Sequence, residues 1–160
     1  MDILMQSPQT FLITRPVLAA GTTTTVSTTN AITGWVNGVS YNAAALANTA
    51  TPTTDLNTGL AFPPVSANQG TVILLGINSA GALRAVQGQV LALDVAGNFV
   101  LAPQMPAVPD SFLPFGRIVV KAGATAVGTW TFGVNNLSSV TGLVYSFSDE
   151  SGVPGRPVVA

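Results

Sequence analysis

Catalysis needs titratable or nucleophilic side chains that converge, and this sequence holds few. Its carboxylates are Asp2, Asp55, Asp94, Asp110, Asp149 and Glu150. Acid–base work by a carboxylate pair needs two of them facing one substrate. Only Asp149 and Glu150 are adjacent, and neighbours on a strand point to opposite faces, so Ser148–Gly152 reads as a solvated turn. No Asp-rich loop supplies the about six to eight oxygens that calcium takes. There is no His and no Cys, which removes the commonest general base, the commonest metal ligands and any disulfide. A serine nucleophile would then need a lysine base, and Lys121, the only lysine, is the one candidate. No Gly-rich phosphate loop opens a helix. The expectation is a protein that is not an enzyme, with no catalytic residue, no metal and no cofactor.

Two other residue sets could recognise a partner. Trp35, Tyr41, Trp130 and Tyr145 could form a sugar platform; at their period-2 spacing they read more readily as filling a sheet core. The arginines Arg15, Arg84, Arg117 and Arg156 are widely spaced. In a chain with so few charges each is a candidate for a specific inter-subunit ion pair or backbone-carbonyl contact, or else a solubilising surface group.

The elements that must position these residues are short. Thr22–Thr29 is β-favouring by composition. Ile32–Tyr41 carries Asn37-Gly38 between two β-type runs, which predicts a tight type I′ hairpin. Residues 42–70 read as a long surface excursion, with Ala43–Ala47 as one helical turn or two. Thr71–Asn78 is apolar on both faces and should be buried on both. Ser79–Gly81 turns it, and 82–87 returns antiparallel. A strand follows near Val90–Leu93, then a turn at Val95–Asn98 into Phe99–Leu101. Prolines 103, 106, 109 and 114 demand an extended crossing. Gly116–Lys121, Val127–Val134 and Leu143–Ser148 complete a set of about eight to ten strands. The fold class expected is all-β, an antiparallel β-sandwich or barrel, jelly-roll-like. Residues 1–21 form an extended N-terminal arm or an edge strand packed on its own domain, 22–148 a single β-domain, and 149–160 an extended tail. If residues 1–21 are an arm, Phe11, Leu12, Ile13, Arg15, Val17 and Leu18 are its interface, and removing residues 1–20 should leave the β-domain folded.

Composition bounds the partners. Of 160 residues, five are basic and six acidic, where about a quarter charged is usual. A chain this uncharged and apolar would associate with itself if it worked alone. Both this and the two-faced strand predict a homo-oligomer, with a trimer favoured. The net charge of −1 and the lack of a basic cluster argue against nucleic acid. No run of about 20 apolar residues suggests a membrane span, and the start of the chain is unlike a secretory leader.

The run FVLAPQMPAVPDSFLPFGRIVVKAGATAVGTWTFGV at residues 99–134 resembles a segment of small β-rich virion proteins of tailed bacteriophages. There a Pro-rich crossing leads into a strand of the pattern Pro114-Phe115-Gly116-Arg117-Ile118-Val119-Val120, followed by a Gly/Thr-rich turn and a second strand. The hairpin GWVNGVSYNAAA and the strand–turn–strand TVILLGINSAGALRAVQG fit the same layout. The resemblance covers about two-thirds of the chain. It implies a capsid decoration (cement) protein that binds the major capsid protein lattice, commonly as a trimer with gripping arms. Such a protein is made in the host cytoplasm and carried on the capsid surface. Being one of order and composition, it transfers no functional residue. The alternative is a receptor- or glycan-binding, or fibre-associated, virion module, recognisable by an exposed aromatic cluster with polar partners.

Overall fold

Short β-branched and aromatic runs between Gly, Pro and Asn turns should pair edge to edge rather than coil. The computed structural model describes residues 10–126, 128–137 and 141–150, and there the chain is all-β. The strands in chain order are β1 (Phe11–Leu12), β2 (Leu18–Ala20), β3 (Thr25–Thr28), β4 (Ile32–Val36), β5 (Val39–Ala43) and β6 (Thr49–Ala50), then β7 (Gln69–Ile77), β8 (Leu83–Gln87), β9 (Leu91–Ala92), β10 (Leu113–Ala122) and β11 (Leu143–Asp149). They form three antiparallel sheets, β1-β4-β5, β2-β3-β6 and the large β11-β10-β7-β8, with β9 also on β7. The arrangement is sandwich-like rather than a closed barrel.

The hairpin at residues 32–43 is the expected one. Asn37 and Gly38 both take positive φ, 50° and 81°, between the paired Val36 and Val39. Those are the two left-handed positions of a type I′ turn, which Asn-Gly adopts at little cost.

The centre of the fold is β7 against β10, and β7 is buried along Gly70–Ile77. Its inward residues Ile73, Leu75 and Ile77 join the main core with Ile118, Val120, Phe115 and Leu113 of β10. Its outward residues Val72 and Leu74 are also buried. The cover is the chain's own Pro-rich crossing at residues 102–112. Phe112, fully buried, stacks over Gly76 so closely that a Cβ there would overlap its ring. Near the other end, Gln104 and Pro106 pack on Gly88 beside Val72. The second apolar face of β7, one ground for expecting a trimer, is therefore satisfied within one chain. Pro114 and Gly116 flank a register shift that lets Phe115 turn into the core.

Several local expectations are corrected or refined. Residues 42–70 run largely over the surface with little regular structure, as expected, but they also deliver Leu46, Phe62 and Val65 to the core and form β6. The Ala43–Ala47 stretch ends β5 and continues without a helical turn, because Leu46 is drawn in where its N–H donates to Thr28 Oγ1 at 2.9 Å. The period-2 pattern at 127–134 is not a strand over its described residues. Trp130 makes one bridge to Val65, Gly133 takes φ 77° in a turn, and Val134 is exposed. Its aromatics alternate because they plug the end of the core. Phe99 likewise makes a single bridge, to Leu93, instead of a strand.

The loop after β6 is held by the one charged side chain among the buried described residues, Asp55. Its Oδ1 accepts the N–H groups of Asn57 (2.8 Å) and Thr58 (3.0 Å), and its Oδ2 accepts that of Gln87 on β8 (2.7 Å). A local Asx turn is thereby fastened to the sheet edge.

Two stability measurements check these anchors. Phe112→Ala removes the plug under the crossing and lowers stability in urea by about 3–5 kcal/mol; a loss under about 1 kcal/mol means that the crossing does not depend on it. Asp55→Ala strands three backbone N–H groups and costs about 3–5 kcal/mol in the same assay.

Candidate functional site

A recognition surface needs side chains that the core does not claim. Pairing of β1 with β4 puts Phe11 opposite Trp35, and Trp35 opposite Ser40 on β5. On the outer face of this sheet the three lie in one row. Ile13 donates its N–H to the Thr33 carbonyl at 2.8 Å, and Thr33 pairs with Asn42, making a second row. Phe11 is 39% exposed, Trp35 38% and Ile13 57%. This face carries no charged residue. Asn42 Nδ2 donates to Ser40 Oγ at 2.9 Å, which orients an amide and a hydroxyl beside the aromatic pair.

Phe11 also forms one wall of a groove of about 220 Å³ between β1, the crossing and the outer face of the large sheet. Leu74 and Leu113 lie at its floor, Met105 and Val108 of the crossing form the opposite wall, and Arg117 and Glu150 line it. Arg117 Nη1 lies 3.3 Å from Glu150 Oε1 and 3.8 Å from the Met105 sulfur. The groove is apolar with one ion pair, suited to an apolar side chain of a partner.

The structure divides the residues expected to act as an arm. Residues 10–21 run along their own domain as β1 and β2, the edge-strand reading. Leu12 and Leu18 are spent in the core, so they cannot serve a neighbour, and cutting away residues 1–20 would remove two core side chains. Phe11, Ile13 and Val17 remain exposed. Residues 1–9 and 151–160, including Arg156, lie outside the described residues. Arg84 Nη1 donates to its neighbour Leu83's carbonyl at 3.4 Å.

Asp149 is not a solvated turn residue. It ends β11, its Oδ1 accepts the Leu18 N–H at 2.7 Å, and its Oδ2 accepts Arg15 Nε at 3.1 Å. These bonds fix the join between β1 and β2, where Val17 holds φ 57°, a conformation that a β-branched residue takes only under constraint. Among the described residues Lys121 meets no serine in a dyad: its ammonium lies 5.1 Å from the Phe99 ring centroid, a cation–π contact. Asp94 caps the turn that it begins, and the Asn98 backbone N–H foremost holds its carboxyl below the usual range. Among the described residues no three of His, Cys, Asp and Glu converge as metal ligands would.

The aromatics likewise separate. Tyr41 and Trp130 are core. Trp130 packs on Phe132 and Tyr145, with centroids at 6.2 and 6.0 Å, and Phe62 meets Phe132 edge-on at 5.0 Å. Trp130 Nε1 and the Tyr145 hydroxyl both donate to the Asn136 carbonyl, at 3.0 and 3.3 Å. Trp35 alone of the four faces outward. Sequence reasoning missed the groove and its walls Met105 and Val108. The visible signal was the apolar spacing between the prolines, but which strands it covers is a long-range fact.

Comparison of the chain with protein-family models, with curated proteins and with solved structures gives no match. The functional reading therefore stands on geometry and on the resemblance described above.

Burial pushes the Tyr145 phenol up from 10.0 to about 12. A raised acid favours the folded state while neutral, so this contribution is complete below pH 10 and is lost as pH rises through about 12. Ultraviolet titration should show a tyrosinate step near pH 12 that is missing in Tyr145→Phe; a variant with an unchanged high-pH step contradicts the assignment.

Proposed function

We propose that the chain is a non-enzymatic structural protein of a tailed-phage virion, which decorates and stabilises the capsid by binding the major capsid protein lattice as an oligomer. The observation that carries the binding role is the uncharged outer face of β1-β4-β5, with Phe11, Ile13 and Trp35 exposed next to the groove. Exposed aromatics beside a preformed apolar groove are what protein interfaces concentrate. The virion context comes from the resemblance at residues 99–134. Five charged side chains are engaged inside the fold: Asp55 holds a loop, Asp149 and Arg15 hold the β1–β2 join, and Arg117 meets Glu150. A surface relieved of charge suits a lattice partner that supplies apolar contact. The proposed site of action is the capsid surface, after synthesis in the host cytoplasm.

A second reading, a glycan-binding virion module, is favoured by one observation. Trp35 shares its row with Ser40 and neighbours Asn42, so an aromatic plane and oriented polar groups lie on one face. Stacking plus hydrogen bonding without charge fits a neutral sugar.

Sedimentation with purified empty expanded heads tests the first reading. The protein should pellet with the heads and raise their heat resistance, and Phe11→Ala with Trp35→Ala should weaken binding at least about tenfold. Deleting residues 1–9, which spares Leu12 and Leu18, asks whether a terminal arm contributes. Failure to pellet at about 10 μM, together with binding on a glycan array that Trp35→Ala abolishes, replaces this reading with the second.

A further inference from the structure

A strand at the edge of a sheet presents unpaired N–H and C=O groups, and folds normally blunt or cover such edges. This chain does so nearly everywhere. The free side of β8 is closed by the loop after β6: Leu56 donates its N–H to the Ala85 carbonyl at 3.0 Å, and Asp55 takes the Gln87 N–H. The turn at Gly81 packs its backbone against the Asn42 carbonyl on the free side of β5. Strands β1, β2, β6 and β9 are two or three residues long. The exception is β11. It is seven residues long, pairs with β10 on one side, and among the described residues has no strand on the other. Between Leu143 and Ser148 it has no proline, no lysine, no charge and no break in register with β10.

We propose that β11 is a self-association edge: two copies of this chain join through antiparallel β11–β11 pairing about a two-fold axis, extending the large sheet across both. The side chains are self-complementary in the register centred on Ser146. It sets Ser146 opposite Ser146 of the second copy and Val144 opposite Ser148, both on the outer face. Tyr145 then stands opposite Phe147, twice, on the core-side face. Tyr145 and Phe147 pack against the core but stay partly exposed, so in this register each gains an aromatic cross-strand neighbour. Val144, 65% exposed, gains cover on the other face. No like charges meet, since Asp149 lies beyond the paired stretch and is already bound to Arg15 and Leu18. An isologous contact of this kind closes after two copies and leaves no further free edge. A foreign extended peptide could satisfy the same backbone groups; the two-fold match of the side chains is what selects a second copy.

The absence of cysteine gives a clean test. Sedimentation velocity over a dilution series should show a monomer–dimer equilibrium for the wild-type chain. Ser146→Cys should form a disulfide dimer rapidly under mild oxidation, since residues directly opposite across strands bring their Cβ atoms within about 4.5–5.5 Å. Val95→Cys, fully exposed at the tip of the Asp94–Gly97 turn, should not. Ser146→Lys sets two ammonium groups opposite each other and should weaken the dimer at least about tenfold, with an unchanged circular dichroism spectrum. A wild-type chain that stays monomeric at about 100 μM, or a Ser146→Cys that crosslinks no faster than Val95→Cys, overturns the proposal. So does an oligomer that forms while Ser146→Cys fails to crosslink, because another surface then holds it. None of these outcomes depends on head binding, so this proposal and the decoration reading can fail separately.

Discussion

The two-sided burial of β7 is the constraint that the rest of the structure answers to. A strand reading Val-Ile-Leu-Leu must lose both faces to water or fail as a core element. Ile73, Leu75 and Ile77 are covered by the opposing sheets, an ordinary sandwich solution. Val72 and Leu74 are covered by an extended, proline-punctuated segment that forms no ladder with the sheet it covers. Prolines suit that role because they have no N–H to leave unsatisfied above an apolar surface. The segment's carbonyls are met by side-chain amides instead: Asn57 Nδ2 donates to Ala107 at 2.9 Å, and Asn37 Nδ2 to Asp110 at 3.3 Å. Phe112 then closes the layer over Gly76.

This arrangement explains why the hairpin tip and the loop after β6 matter beyond their own geometry. Asn37 serves twice, accepting the left-handed backbone of the turn and tethering the crossing. Asn57 reaches the crossing only because Asp55 holds its loop against β8. The groove exists for the same reason. The crossing stands off from β1 where Met105 and Val108 face Phe11, and that gap is the space lined by Leu74 and Leu113. Core stability and candidate recognition surface share one element, so loosening the crossing should alter both.

Scarcity of charge gives the molecule its character. Asp55 and Asp149 lie where several backbone or guanidinium donors converge, and each orders a segment that lacks secondary structure of its own. Spending ionised groups on fastening leaves the outer face of β1-β4-β5 and the edge of β11 neutral. Neutral, apolar and amide-bearing surfaces associate by shape and backbone pairing rather than by long-range attraction. Both proposals above draw on that property at different places on the molecule.

What the sequence determined by itself was local. Asn37-Gly38 dictated a turn because few other pairs tolerate two successive left-handed residues. The apolar run of β7 required burial on both faces, and the β-branched runs around it declared the all-β class. The prolines at 103–114 required an extended path. Tertiary structure decided what each piece would meet. The alternation of Trp130 and Phe132 looked like a strand, yet equally serves a loop that plugs a core, because period-2 spacing records burial on one side and not backbone pairing. Residues 42–70 looked like surface because their Pro, Ala and Thr carry no period, while Phe62 and Val65 gain their burial from strands distant in sequence. Leu12 and Leu18 looked free for a neighbour until β4, β3 and Asp149 claimed their segment. Which layer covers a face, and which edge stays open, depends on the distances between elements that fold last onto one another, and a single sequence records that only through residues whose types permit several answers.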